Sequence, residues 1–244
     1  MQERVPSIRT AHLRLPFAIA LAGLLTFGVG QSRAGSVFVI PANTNNGADL
    51  PVSASATFSF SSDSVTITIQ NLEANLRASN QLISGLQFTL SGTPTGQSFS
   101  SGSAVEMNLS PPNYTLLNGG NPEATTRWHL ASAHELTALG GGKPSQLIIG
   151  PPNGSNQYTN ANGGANNFNP NLFESATFTL TYTGGVTSAT TVSDVKFEFG
   201  TNSSEDGIIG GTLVSVPEPS TLTIAAIGIV MLAGYTWRRR RVAA

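Results

Sequence analysis

The sequence predicts an all-β domain set between two apolar ends, and three observations carry that expectation. Apolar and polar residues alternate with period two in several short runs, as in a strand with one buried face and one wet face. Only 10% of the 244 residues are charged, while Gly (26) and Pro (14) are plentiful. An ordinary globular domain carries roughly 25% charge, so the wet faces here must be built from Ser, Thr, Asn and Gln. The formal net charge of −1 is also segregated along the chain.

Residues 1–34 carry Arg4, Arg9, Arg14 and Arg33 against Glu3, a balance of +3. Residues 217–244 carry Arg238, Arg239, Arg240 and Arg241 against Glu218, again +3. The middle carries Arg77, Arg127, Lys143 and Lys196 against eleven acids, a balance of −7. A nucleic-acid binder would place its basic residues on the long domain, so no nucleic-acid partner is expected. The chain has no Cys, which excludes disulfides and thiolate metal sites. With 39% hydrophobic residues in the chain and regular alternation, the middle is expected to fold around a core of its own.

Residues 1–34 read as a signal peptide. Three arginines precede an apolar run from Leu15 to Val29, and Ser32 and Ala34 supply small residues at the −3 and −1 positions of a cut before Gly35. That run is short for crossing a bilayer of ~30 Å. The expected partners are therefore the Sec translocon and signal peptidase.

Residues 35–215 form the predicted ectodomain. Ala54, Ala56, Phe58 and Phe60 alternate with Ser53, Ser55, Thr57 and Ser59; Val65, Ile67 and Ile69 alternate with Thr66, Thr68 and Gln70. The pattern returns at Leu86, Phe88 and Leu90, at Ala176, Phe178, Leu180 and Tyr182, and at Val195, Phe197 and Phe199. Turn clusters such as Ser61-Ser62-Asp63 and Gly184-Gly185 lie between them. Short punctuated strands of this kind predict antiparallel sheets packed as a β-sandwich of jelly-roll or immunoglobulin-like character. Residues 71–82 fit a short helix or a long strand connection equally well. Residues 150–171 form a loop with eight Asn between 153 and 171.

Candidate chemistry in the ectodomain is sparse. The Asn-rich loop offers Tyr158 and Phe168 as glycan-stacking rings, against the plainer reading of a loop held by Asx-turns. His129 and His134 are five apart, which misses the spacing of a helical metal pair and puts strand neighbours on opposite faces. Glu205-Asp206-Gly207 offers calcium oxygens without the alternating pattern of a calcium loop. Glu106, Glu123, Glu135 and Glu174 are the acids available for glycosidase chemistry, which needs two of them across a cleft. No catalytic residue, metal or cofactor is assigned.

The C-terminus is more specific. Val216-Pro217-Glu218-Pro219-Ser220-Thr221 precedes an apolar stretch, residues 222–237, and then Arg238 to Arg241. Proline fixes φ and keeps its predecessor out of the helical region, so the Glu218 segment is expected to be extended and accessible. As a helix, 222–237 would reach about 24 Å, near the lower limit for a transmembrane span. Tyr235 and Trp237 sit at the interfacial level, and the arginines hold the tail on the cytoplasmic side. Residues 216–244 resemble the PEP-CTERM sorting signal of exported bacterial proteins. That resemblance implies an exosortase partner acting at Val216, Pro217, Glu218, Pro219 and Ser220, with Arg238, Arg239, Arg240 and Arg241 as the stop-transfer cluster. It further implies export across the inner membrane, transient membrane anchoring, and a cell-surface or extracellular destination in a biofilm with exopolysaccharide as partner. A structural, non-catalytic role is expected. The alternatives are a carbohydrate-binding module, a glycan-active enzyme, or an unprocessed single-pass membrane protein.

Overall fold

The described part of the protein is all-β. Its structure, a computed structural model, describes residues 35–161, 164–202 and 207–214. The described residues contain β1 (Ser36–Asn45), β2 (Pro51–Ser61), β3 (Ser64–Asn71), β4 (Ile83–Leu90), β5 (Ser98–Ser110), β6 (Asn113–Leu116) and β7 (Glu123–Ala124). They continue with β8 (His129–Ser132), β9 (Glu135–Thr137), β10 (Ile148–Ile149), β11 (Asn171–Thr181), β12 (Val192–Phe199), β13 (Ile208–Gly210) and β14 (Thr212–Val214). The signal and transmembrane helices expected over 1–34 and 222–237 lie outside the described residues. No helix among the described residues is long and apolar enough to cross a membrane.

All fourteen strands belong to one continuous mixed sheet, whose main path runs β13-β12-β4-β10-β11-β3-β2-β1-β14. The expectation of purely antiparallel, separate sheets is corrected here. β10 pairs antiparallel with β4 (Ile148↔Ile83) and parallel with β11 (Ile148↔Leu172, Ile149↔Phe173). Parallel neighbours need a crossover of a dozen or more residues, and the Asn-rich segment after β10 is that crossover. A two-residue strand shows no period in sequence, so the strand that joins the two halves of the sheet was not visible.

The sheet curls until its apolar faces meet. Phe58 of β2 and Phe88 of β4 are four strands apart along the path, yet their ring centroids lie 5.6 Å apart in an edge-to-face contact. Edge-to-face pairs are worth about 0.5–1.5 kcal/mol beyond the area they bury. Trp128 packs on Phe178 at 4.6 Å, and its indole N–H donates to the Gln146 carbonyl at 2.7 Å. Val65, Ile67 and Ile69 of β3 and Phe178 and Leu180 of β11 are fully buried, the faces that the alternation assigns to the core.

The far end of the path returns to its start. β13 pairs with β12 (Phe197↔Ile209) and β14 with β1 (Phe38↔Leu213), with Gly211 between them. The segment 208–214 thus bridges the two ends of the sheet. A side chain at Gly211 would meet the Phe197 ring at 3.0 Å and Phe38 Cβ at 3.2 Å, so a neighbour must give way before a larger residue stands there.

Residues 71–82 hold no α-helix. A single 3-10 turn, Ser79–Gln81, closes a connection organised by two buried amides. Asn71 Nδ2 donates to the carbonyls of Gln81 (2.8 Å) and Ile148 (3.0 Å), and its Oδ1 accepts from Glu73 N–H at 3.1 Å. Gln81 Oε1 accepts from Arg77 N–H (2.5 Å) and Ala78 N–H (3.1 Å), while Nε2 donates to the Pro51 carbonyl at 2.6 Å. These side chains replace the backbone ladder that a helix would supply.

Candidate functional site

A polar groove lies on the solvent side of β4, β9 and β12. The pairing registers put Glu135, Gln87 and Lys196 in one row across the three strands. Directly opposed strand positions have Cβ atoms ~5 Å apart. Between Ser193 and Lys196 the register slips. Asp194 at that bulge has φ 50°, and the slip turns its side chain into the groove beside Lys196. Ser132 at the end of β8 and His134 in the β8–β9 turn complete the lining of a hollow of about 300 Å³. A second hollow of about 430 Å³ adjoins it, sharing Thr89 and His134 and continuing past Pro94 and Gln97 to Tyr182.

Beside this groove, one row along the same face, lies a buried acid. Glu198 is 4% exposed, and its Oε1 accepts from Gln87 Nε2 at 2.7 Å. Among the described residues its Oε2 finds no hydrogen-bond partner. The carboxylate lies over Gly85, where any Cβ would collide with it. Burial pushes the Glu198 carboxyl above the ordinary carboxylate range; the Gln87 hydrogen bond opposes the rise and the nearby charge of Glu135 adds to it. At the far end of the groove, the buried Tyr182 hydroxyl also lacks a partner among the described residues, and burial raises its pKa to about 12. Strand alternation assigns Glu198 to the wet face, which is why sequence reasoning passed over it. The glycine opposite it, Gly85, is the only signal that could have marked it.

The residues singled out from sequence fall in different places. Tyr158 is fully buried; its hydroxyl donates to the Gly150 carbonyl at 2.7 Å, and its ring meets Tyr114 edge-on at 5.5 Å. It offers no face to a sugar, so the expected Tyr158–Phe168 platform is corrected. Phe168, in a 3-10 turn, is half-buried against the core. The loop is held instead by its own amides: Asn153 Oδ1 accepts from Ser155 N–H (2.9 Å) and Gln157 N–H (3.0 Å). Asn169 Nδ2 donates to the Leu109 carbonyl, and its Oδ1 accepts from Leu109 N–H, both at 2.8 Å.

His129 lies in β8 with Nδ1 2.9 Å from the Arg127 carbonyl, whereas His134 sits in the following turn. Among the described residues no group of three or more His, Asp or Glu could hold a metal ion. Glu106 accepts a hydrogen bond from Gln146. Glu106, Glu123, Glu135 and Glu174 lie on β5, β7, β9 and β11 respectively. Glu205 and Asp206, and the whole of Val216–Ser220 and Arg238–Arg241, lie outside the described residues.

An acidic all-β domain whose last described strand runs directly into a proline-flanked, apolar, basic-ended tail defines a class: a cargo domain carrying a C-terminal sorting segment. The segment matches the PEP-CTERM protein-sorting motif over residues 215–241. No curated protein and no solved structure matches the chain.

Proposed function

We propose that this protein is an exported precursor, that an exosortase acts at Pro217-Glu218-Pro219, and that the all-β domain is a non-catalytic structural component of the cell surface or extracellular matrix. The sorting motif at 215–241 is the observation that carries this reading. It is supported by the charge balance, with basic segments on both sides of an acidic domain. The position of the motif agrees with it: Pro217 stands three residues beyond Val214, the end of β14, a reach of ~10 Å at most. The processing enzyme therefore works close against the folded domain.

Mass spectrometry of the exported protein tests the reading. The expected mature chain starts at Gly35 and ends near Pro217–Ser220. A surface protein that keeps Arg238–Arg241 overturns the processing step and leaves a single-pass anchored protein in its place.

A further inference from the structure

The solvent-side face of β2, β3, β11 and β5 carries a second feature, separate from the groove and from the tail. The pairing registers align the four strands in rows. One row reads Thr57, Thr68, Thr177, Ser103; the next, Ser59, Thr66, Thr179, Ser101; the third, Ser61, Ser64, Thr181, Ser98. Every one of these twelve positions is Ser or Thr, and none is charged. All are exposed or half-buried. Neighbours link across strands: Thr68 Oγ1 to Thr177 Oγ1 at 3.1 Å, Ser98 Oγ to Thr181 Oγ1 at 2.7 Å, Ser61 Oγ to Ser64 Oγ at 2.6 Å.

From this grid we infer that the face docks an extended, neutral polysaccharide lying across the strands. The grid offers no ion pair, so an anionic or cationic polymer gains nothing from it. A hydroxyl has one donor and two acceptor sites, and the cross-strand links leave each group with capacity to spare. Sugar hydroxyls have the same dual character, so either partner can donate at each contact. The strands lie ~4.8 Å apart and successive rows ~6.7 Å apart along β2, β3 and β11; the linked hydroxyls lean to 2.6–3.1 Å of each other, and on β5 a bulge separates Ser101 from Ser98. A polymer of hydroxylated rings laid along a row can exchange hydrogen bonds with its hydroxyls in turn. Threonine methyls between the hydroxyls provide apolar contact for the C–H faces of the rings. A peptide strand finds no purchase here, because the backbone groups of these strands are already paired within the sheet. Each contact is weak, and binding grows by repetition along the polymer.

The test is retention of the exported protein on microcrystalline cellulose, with and without 1 M NaCl. The inference expects retention that salt does not weaken, and at least a tenfold loss in the variant Thr66→Val, Thr68→Val, Thr177→Val, Thr179→Val. Valine keeps the shape and strand preference of threonine and removes only the hydroxyl. The corresponding Thr→Ser variant is expected to retain binding. If the valine variant fails to fold, the pair Thr177→Lys and Ser103→Lys, at exposed positions, should abolish retention by itself. No retention of the unaltered protein, retention that salt removes, or equal retention of the valine or lysine variant each overturns the inference. None of these outcomes depends on whether the tail has been cut.

Discussion

Val37 of β1 and Val214 of β14 are register partners in an antiparallel pair, so the two ends of the described domain lie on one rung of the sheet. The closing segment contributes little apolar burial of its own: Leu213 is 58% and Val214 42% exposed. Its hold depends on hydrogen bonds and on the tight fit at Gly211. Replacing Gly211 with Val should overpack the space between Phe38 and Phe197 and cost about 2 kcal/mol. The melting temperature should fall by roughly 4–8 °C, and hydrogen exchange should accelerate first in β13 and β14. An unchanged melting temperature would show that the bridge is dispensable.

Glu198 sets a pH dependence whose sign follows from its environment. Its folded-state pKa is raised by burial, so between the ordinary carboxylate pKa and the raised value the folded chain holds a proton that the unfolded chain has released. Stability contributed by this site is present at acid pH and is lost as pH rises through that window. Glu198→Gln keeps the Gln87 neighbour and removes the titration. The variant should be more stable than the parent at neutral pH by about 1–2 kcal/mol, because a neutral amide is less costly to bury than a carboxylate. Below about pH 4, under the ordinary carboxylate pKa, the advantage should vanish. Denaturant melts at several pH values check both statements, and a pH-independent difference would contradict the assignment.

Tyr158 makes a structural contribution that two substitutions can separate. Tyr158→Phe deletes the hydroxyl's bond to the Gly150 carbonyl and its 4.0 Å contact with Met107 Sδ and should cost about 1 kcal/mol. Tyr158→Ala also empties a fully buried site and should cost about 3–5 kcal/mol. Retention on cellulose should be the same for Tyr158→Phe and the parent, because the ring never reaches solvent.

The sorting step is open to a direct substitution. Replacing Pro217, Glu218 and Pro219 together by Ala should leave the domain's melting behaviour unchanged, since all three lie beyond β14. The exported chain should then keep its Arg cluster and fractionate with membranes. Normal trimming of that variant would place the recognition elsewhere.

The strands with the clearest alternation, β2, β3, β4, β11 and β12, could be read from sequence because Phe, Ile and Leu mark their buried face. β5 could not, since its inward positions include Gly102 and Ala104, small residues that make room for Phe178 and Thr125. β1 was hidden by a bulge between Ile40 and Thr44, which breaks the period after two buried residues. The connection over 71–82 was ambiguous because its organisers, Asn71 and Gln81, are polar residues whose burial no hydropathy pattern announces. The sorting segment was legible for the opposite reason: its signal is the linear order of proline, acid, apolar run and arginines. The groove was the least legible part, because it assembles side chains from three strands and a turn whose proximity only the register creates.

The three rows of hydroxyls have a further consequence for the molecule as a colloid. Repulsion between like-charged proteins fades as salt shortens the screening length, to ~3 Å at 1 M. A face that holds water through uncharged hydroxyls loses nothing under the same conditions. This domain should therefore stay dispersed in brine and near its isoelectric point, where a surface kept soluble by lysine and glutamate would begin to clump.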